Sequence, residues 1–160
     1  MRYYLDTEFY EDGKTIDLIS IGVVADDGRE FYAVNEDAEL DRVSDWVRSN
    51  VLAQLPPYSD PAWSSRVQIR SDLSDFLVDY GDGIIEFWGY YADYDWVALC
   101  QLWGTMMKLP ERMPKFCMDL KQLAVMKGNP ELPKQLSGEH NALADARWSR
   151  EVHQFLENLK

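Results

Sequence analysis

The stretch Tyr4-Leu5-Asp6-Thr7-Glu8-Phe9 decides how the rest of the chain is read. As a β-strand it alternates, placing Asp6 and Glu8 on one side and Leu5, Thr7 and Phe9 on the other. Two carboxylates on one strand face repel each other and lose hydration unless a cation or water receives them. An edge strand with a solvated acidic face would carry the same pattern. The strand alone therefore leaves surface acid and divalent-metal site evenly matched, although the apolar segment that follows argues for a central strand.

That segment, residues 15–25 (TIDLISIGVVA), is β-branched and almost continuously apolar, as a strand covered on both faces is. Asp12-Gly13 and Asp27-Gly28 supply turns on either side of it, so strands at 2–10, 15–25 and 29–34 form an antiparallel meander. Beyond Glu36, Leu40, Val43, Trp46, Val47, Val51, Leu52 and Leu55 recur at helical spacing until Pro56-Pro57 stops the pattern. A second helix is expected over 64–80, with Val67, Ile69, Leu73, Phe76 and Leu77 apolar and Gly81-Asp82-Gly83 ending it. Residues 84–90 (IIEFWGY) read as a fourth strand, followed by a helix carrying Val97, Leu99, Leu102 and Trp103. A short fifth strand is expected near 115–118, then a helix over 119–127 closed by Gly128-Asn129-Pro130, a loop over 130–139, and a last helix from Asn141 onward. A meander followed by strand–helix–strand–helix describes an α/β fold with helices on both faces of a mixed five-stranded sheet. In it the later strands run parallel to a neighbour and the first strand is central. No repeat, low-complexity tract or linker divides the chain, so one domain spanning 1–160 is expected.

Apolar residues make up 46% of the 160 and aromatics 13%, which excludes disorder for the bulk of the chain. The formal net charge of −12 excludes a protein that packages nucleic acid, because such binding rests on Lys and Arg neutralising phosphates. It does not exclude a nuclease whose bound metal ions supply the positive charge locally. Cys100 and Cys117 have no metal-ligand spacing and read as buried free thiols. No signal core is apparent, and no run approaches the roughly 18 apolar residues of a membrane span, so a cytoplasmic protein without membrane contact is expected.

The final helix carries a second acidic signal. Trp148, Val152, Phe155, Leu156 and Leu159 form its buried stripe, and stepping back along that stripe reaches Asp145 and Ala142. A lone carboxylate there is costly without a partner. His140 stands five residues earlier, at the helix entrance, and His153 reads as a surface residue. Plain alternatives are a capping histidine and a salt-bridged aspartate. Asp93 and Asp95 open an earlier helix; Asp93 suits an N-cap better, because Asp95 leads the stripe Leu99, Leu102, Trp103, but periodicity does not settle the choice. Asp119, opening its own helix, reads as a cap. Oxygen-only ligands favour hard cations such as Mg²⁺ or Mn²⁺. Two such ions about 3.5–4 Å apart form a template for in-line attack on a phosphodiester. A histidine nearby is suited to taking the proton from the attacking water.

Asp6-Thr7-Glu8-Phe9, Tyr94-Asp95 within ADYDWVAL, and His140-Asn141-Ala142-Leu143-Ala144-Asp145-Ala146 together resemble, in order, the three motifs of the DEDDh exonucleases. Those are 3′-5′ exonucleases on an RNase H-like fold, related to RNase T and oligoribonuclease. The wider text is similar to a smaller bacterial group first described as mycobacterial 3′-5′ exoribonucleases, over nearly the whole chain. The resemblance implies that Asp6, Glu8, Asp95 and Asp145 hold two divalent ions, Mg²⁺ with Mn²⁺ able to substitute, and that His140 is the general base. It selects Asp95 over Asp93, and it puts Thr7 and Phe9 against the terminal nucleotide. Tyr91 stands where the family often has Asn, four residues before the second-motif aspartate, a departure that bears on substrate positioning. The implied activity is removal of nucleoside 5′-monophosphates from a single-stranded or overhanging RNA 3′ end. Its rivals are the same chemistry on DNA, a silent RNase H-like interaction module, and an acidic nucleic-acid mimic; the last two would need no complete set of motif residues. Dimers occur in the family, and the Trp and Tyr residues between 46 and 103 would serve an interface or a core equally well.

Overall fold

In the computed structural model, which describes residues 1–78 and 84–159, the acidic strand β1 (Arg2–Glu11) is central. It pairs antiparallel with β2 (Ile16–Ala25) on one side and parallel with β5 (Glu86–Gly89) on the other. β3 (Glu30–Asn35) completes the meander, and with β4 (Trp63–Ser64) and β6 (Met118–Asp119) at the edges the sheet order is β4-β3-β2-β1-β5-β6. The sheet thus has six strands rather than the expected five. The additional strand, β4 (Trp63–Ser64), is two residues long and runs parallel to β3. Two residues carry no detectable alternation; what holds β4 is bonding from Val34 N–H to the Ala62 carbonyl and from Glu36 N–H to that of Ser64. β6 (Met118–Asp119) closes the opposite edge.

The period-2 alternation of β1 divides the molecule. Tyr3 and Leu5 join Ile21, Val23 and Ala25 in the main core, where α2 (Arg66–Val78) contributes Ile69, Leu73 and Leu77 and α3 (Asp93–Gln101) contributes Trp96 and Leu99. Tyr4 points the other way, against Ala146 of α5 (Ala142–Asn158). The short α4 (Leu120–Met126) packs Leu120 and Ala124 against Val152 and Leu156 of α5. Helices therefore cover both faces, as expected.

The 40–55 stretch is not one helix. Val43 is extended and the Ser44 side chain caps α1 (Asp45–Asn50) by accepting from Val47 N–H, with 3-10 turns at Leu40–Arg42 and Leu52–Gln54. Val43, Val51, Leu40, Val47, Leu52 and Leu55 still gather on Ile19, so the apolar spacing was real but the helix was interrupted by its own cap. Trp46 leaves that stripe and is 56% exposed. Val67, expected in the core, is 64% exposed one residue into α2. The expected stop at Gly81-Asp82-Gly83 lies outside the described residues. Cys100 and Cys117 are free thiols, the first buried and the second half-buried. Among the described residues no helix is long and apolar enough to cross a membrane.

Candidate active site

Asp6 and Glu8 lie on the α5 side of β1, opposite Gly22 and Ser20 of β2. Gly22 is the reason α5 can reach them. A Cβ built at Gly22 would enter the backbone of Ala142 and Leu143, so the first turn of α5 rests on bare strand backbone beside Asp6. Asn141 caps that turn by accepting from Ala144 N–H at 3.1 Å. Asp145, one turn further on, then arrives over the strand, and oxygens of Asp6, Glu8 and Asp145 lie within 4.8 Å of one another.

Each carboxylate beyond the strand is held. Asp145 accepts from Gln135 Nε2 at 2.5 Å on Oδ1 and from the His140 N–H at 2.9 Å on Oδ2. The second bond is made with His140 in the left-handed region, at φ 66°, a strained conformation for a residue with a Cβ. Asp95 comes from the opposite face, buried in the first turn of α3. Its Oδ1 accepts from the Thr7 N–H at 2.8 Å and the Thr7 hydroxyl at 2.6 Å. Thr7 thus spends both donors on fixing Asp95. Asp93 is exposed at the first position of α3 and is not the cap expected of it, since the N-cap is Ala92 with no side-chain bond. The Ala92 N–H is satisfied instead by Asp119, which also caps α4 through Gln122 N–H, the capping role expected of it.

Electrostatics show how these acids act on one another. Burial first, then the charges of Asp95, Asp145 and Glu8, hold the Asp6 carboxyl well above the usual carboxylate range. Glu8 is pushed up to about 8 by burial and then by Asp145 and Asp95. Asp95 is raised to about 6 by burial, with the Thr7 bonds pulling against that rise. Asp145 is also raised, chiefly by burial. Every side chain acting on Asp6 and Glu8 is itself an acid. A half-buried set of carboxylates, all raised by burial, is a donor set suited to a hard divalent cation.

Around the cluster, the His140 ring meets the edge of Trp46, with centroids 4.9 Å apart and planes at 77°. Phe9 stacks on Tyr94 at 5.6 Å and 9°, next to Asp95 in sequence. Tyr91 is 64% exposed in the left-handed region and meets Tyr90 edge-on. Gln135, Trp46 and Gly22 escaped the sequence reading. Gly22 had a signal, because an isolated glycine inside an apolar strand marks close backbone approach. Gln135 had none, lying in an irregular loop. His153 is the reverse case: expected on the surface, it is buried, with Nδ1 3.0 Å from the Tyr4 hydroxyl and its ring 4.0 Å from that of Trp88.

Comparison with known proteins identifies the family and the fold. The profile of the 3′-5′ exoribonuclease Rv2179c-like domain matches residues 1–156. Two curated relatives, the 3′-5′ exoribonucleases MT2234.1 and Rv2179c of two Mycobacterium tuberculosis strains, are each 52% identical over 92% of this chain and 88% of theirs. Among solved structures, the nuclease domain of 3′hExo, a DEDDh family member bound to rAMP, superposes with a TM-score of 0.64 at 14% identity, over 98% of this chain and 92% of that one. The Mg²⁺- and Mn²⁺-bound S. pombe Pop2p gives 0.64 at 13% identity, over 98% and 81%. The six-stranded mixed sheet with its flanking helices is therefore an RNase H-like exonuclease fold, and the chain belongs to the Rv2179c-like 3′-5′ exoribonuclease family.

Proposed function

We propose that this protein is a divalent-metal-dependent 3′-5′ exoribonuclease, carried by one domain over 1–160, that releases nucleoside 5′-monophosphates from RNA 3′ ends. The observation that carries the reading is the cluster of Asp6, Glu8 and Asp145, whose oxygens converge within 4.8 Å while burial raises all three carboxyls and neighbouring acids raise Asp6 and Glu8 further. Asp95, tied down by Thr7, adds a fourth carboxylate whose charge acts on Asp6 and Glu8 and which feels that of Asp145. Asp6, Glu8, Asp95 and Asp145 would hold two ions, Mg²⁺ or Mn²⁺. When bound, these cations neutralise charge on the phosphodiester and its leaving oxygen and make water more acidic.

The remaining work falls to the chain's own side chains. His140, fixed by its backbone bond to Asp145 and by the Trp46 edge, is the group that accepts the proton of the attacking water. Gln135 and Thr7 keep Asp145 and Asp95 in place. The Phe9–Tyr94 stack offers an apolar wall for the terminal nucleotide next to Asp95. Digestion of matched 5′-labelled RNA and DNA oligomers with Mg²⁺, with Mn²⁺ and with EDTA tests the reading. Shortening of RNA from its 3′ end, faster than DNA and blocked by EDTA, is expected. Cleavage unaffected by EDTA, or confined to DNA, would overturn it.

A further inference from the structure

Beside His140 a groove of about 460 Å³ opens between the end of α1 with its following turn and the loop that leads into α5. Asn50 and Gln54 line one wall; Gln135, Leu136 and His140 line the other. The lining holds three side-chain amides and one carboxylate, Glu139, and neither Lys nor Arg. Leu136 stands 94% exposed, and Trp46, which meets the His140 ring, is 56% exposed. The Gln54 side chain makes no hydrogen bond among the described residues.

We propose that this groove binds the nucleotides just upstream of the 3′-terminal one by their bases, leaving the sugar-phosphate backbone toward solvent. The proposal rests on the exoribonuclease reading and specifies how that site holds its substrate. The occupant follows from continuity and charge. Gln135 lines the groove and also bonds Asp145, so a chain leading away from a phosphodiester at Asp145 passes His140 and enters it. Phosphates gain nothing there, because a groove without cations in a protein of net charge −12 offers no counterion release. Bases gain from it. Every base has a face that stacks on an apolar or aromatic surface, and its edges bond to amides when it is unpaired. The groove therefore takes single-stranded RNA with little regard to sequence, and the affinity it adds is only weakly sensitive to salt.

A Gln54→Ala/Leu136→Ala double variant tests this, since both side chains reach solvent and neither supports the core. Two substrates are compared: the p-nitrophenyl ester of uridine 5′-phosphate, which fills only the terminal position, and a single-stranded RNA octamer. The ratio of kcat/KM for octamer over ester is expected to fall roughly 5- to 150-fold in the variant, the range spanned by losing one stacked base. The drop should be of similar size in low and high salt. An unchanged ratio would overturn the groove while leaving the exoribonuclease reading intact. A wild-type protein that cleaves neither substrate with Mg²⁺ would overturn that reading and the groove with it.

Discussion

Glu8 keeps its proton to about pH 8, far above the ordinary value of 4.5 that it has in an unfolded chain. Between those two values the folded protein binds a proton that the unfolded chain has released, so raising the pH favours unfolding. The metal-free protein should therefore melt at a lower temperature at pH 8 than at pH 5.5, and added Mn²⁺ should restore the pH 8 value. Melting in EDTA across that range checks this, and a flat profile would contradict it. The same repulsion predicts that Asp6→Asn abolishes hydrolysis yet raises the metal-free melting temperature at pH 8. Asp95→Asn keeps an oxygen for the two Thr7 donors, so it should stay folded and lose most activity, whereas Asp93→Asn, exposed at the start of α3, should lose little. Equal activities in the two variants would place the wrong aspartate in the site. For His140→Ala a fall of about 10²–10⁴-fold in the single-turnover rate is expected, with Mn²⁺ affinity retained in calorimetric titration. At this scale the convergence of Asp6 and Glu8 with Asp145 was legible, because two acids alternate onto one face of a strand and the third lies on the core side of the last helix. Trp46 and Gln135 were not, since their contacts depend on where an interrupted helix and an irregular loop happen to run.

Among the elements, the docking of α5 on β2 matters most to the site, and Gly22 carries it. Gly22→Ala should push the first turn of α5 away from Asp6, costing about 1–3 kcal/mol of stability as overpacking does. Activity should drop by more than that loss explains, because Asp145 moves with the helix. Urea unfolding beside kcat/KM separates the two effects, and a variant of wild-type stability and activity would refute the role given to Gly22. The meander and the central place of β1 could be read from Asp-Gly turns and one continuous apolar run. β4 could not, because two residues have no period, and the 40–55 helix was misjudged because Ser44 caps inside an unbroken apolar stripe.

For the whole molecule the question is how a chain of net charge −12 degrades a polyanion. Composition argued against a protein that packages nucleic acid but not against a nuclease, and a net charge of −12 offers no broad electrostatic attraction to RNA. On the proposed reading the answer is local: acids gathered from β1, α3 and α5 would form a cation site, and bases rather than phosphates would hold the strand beside it. Water would then be the nucleophile at the last phosphodiester. Hydrolysis of a single-stranded RNA in H₂¹⁸O with Mg²⁺, followed by mass spectrometry of the released nucleotides, tests this most directly. The account predicts nucleoside 5′-monophosphates carrying one ¹⁸O on the phosphate, formed from the 3′ end and absent in EDTA. Unlabelled nucleotides, 2′,3′-cyclic or 3′-phosphate products, or the same yield without metal would contradict it.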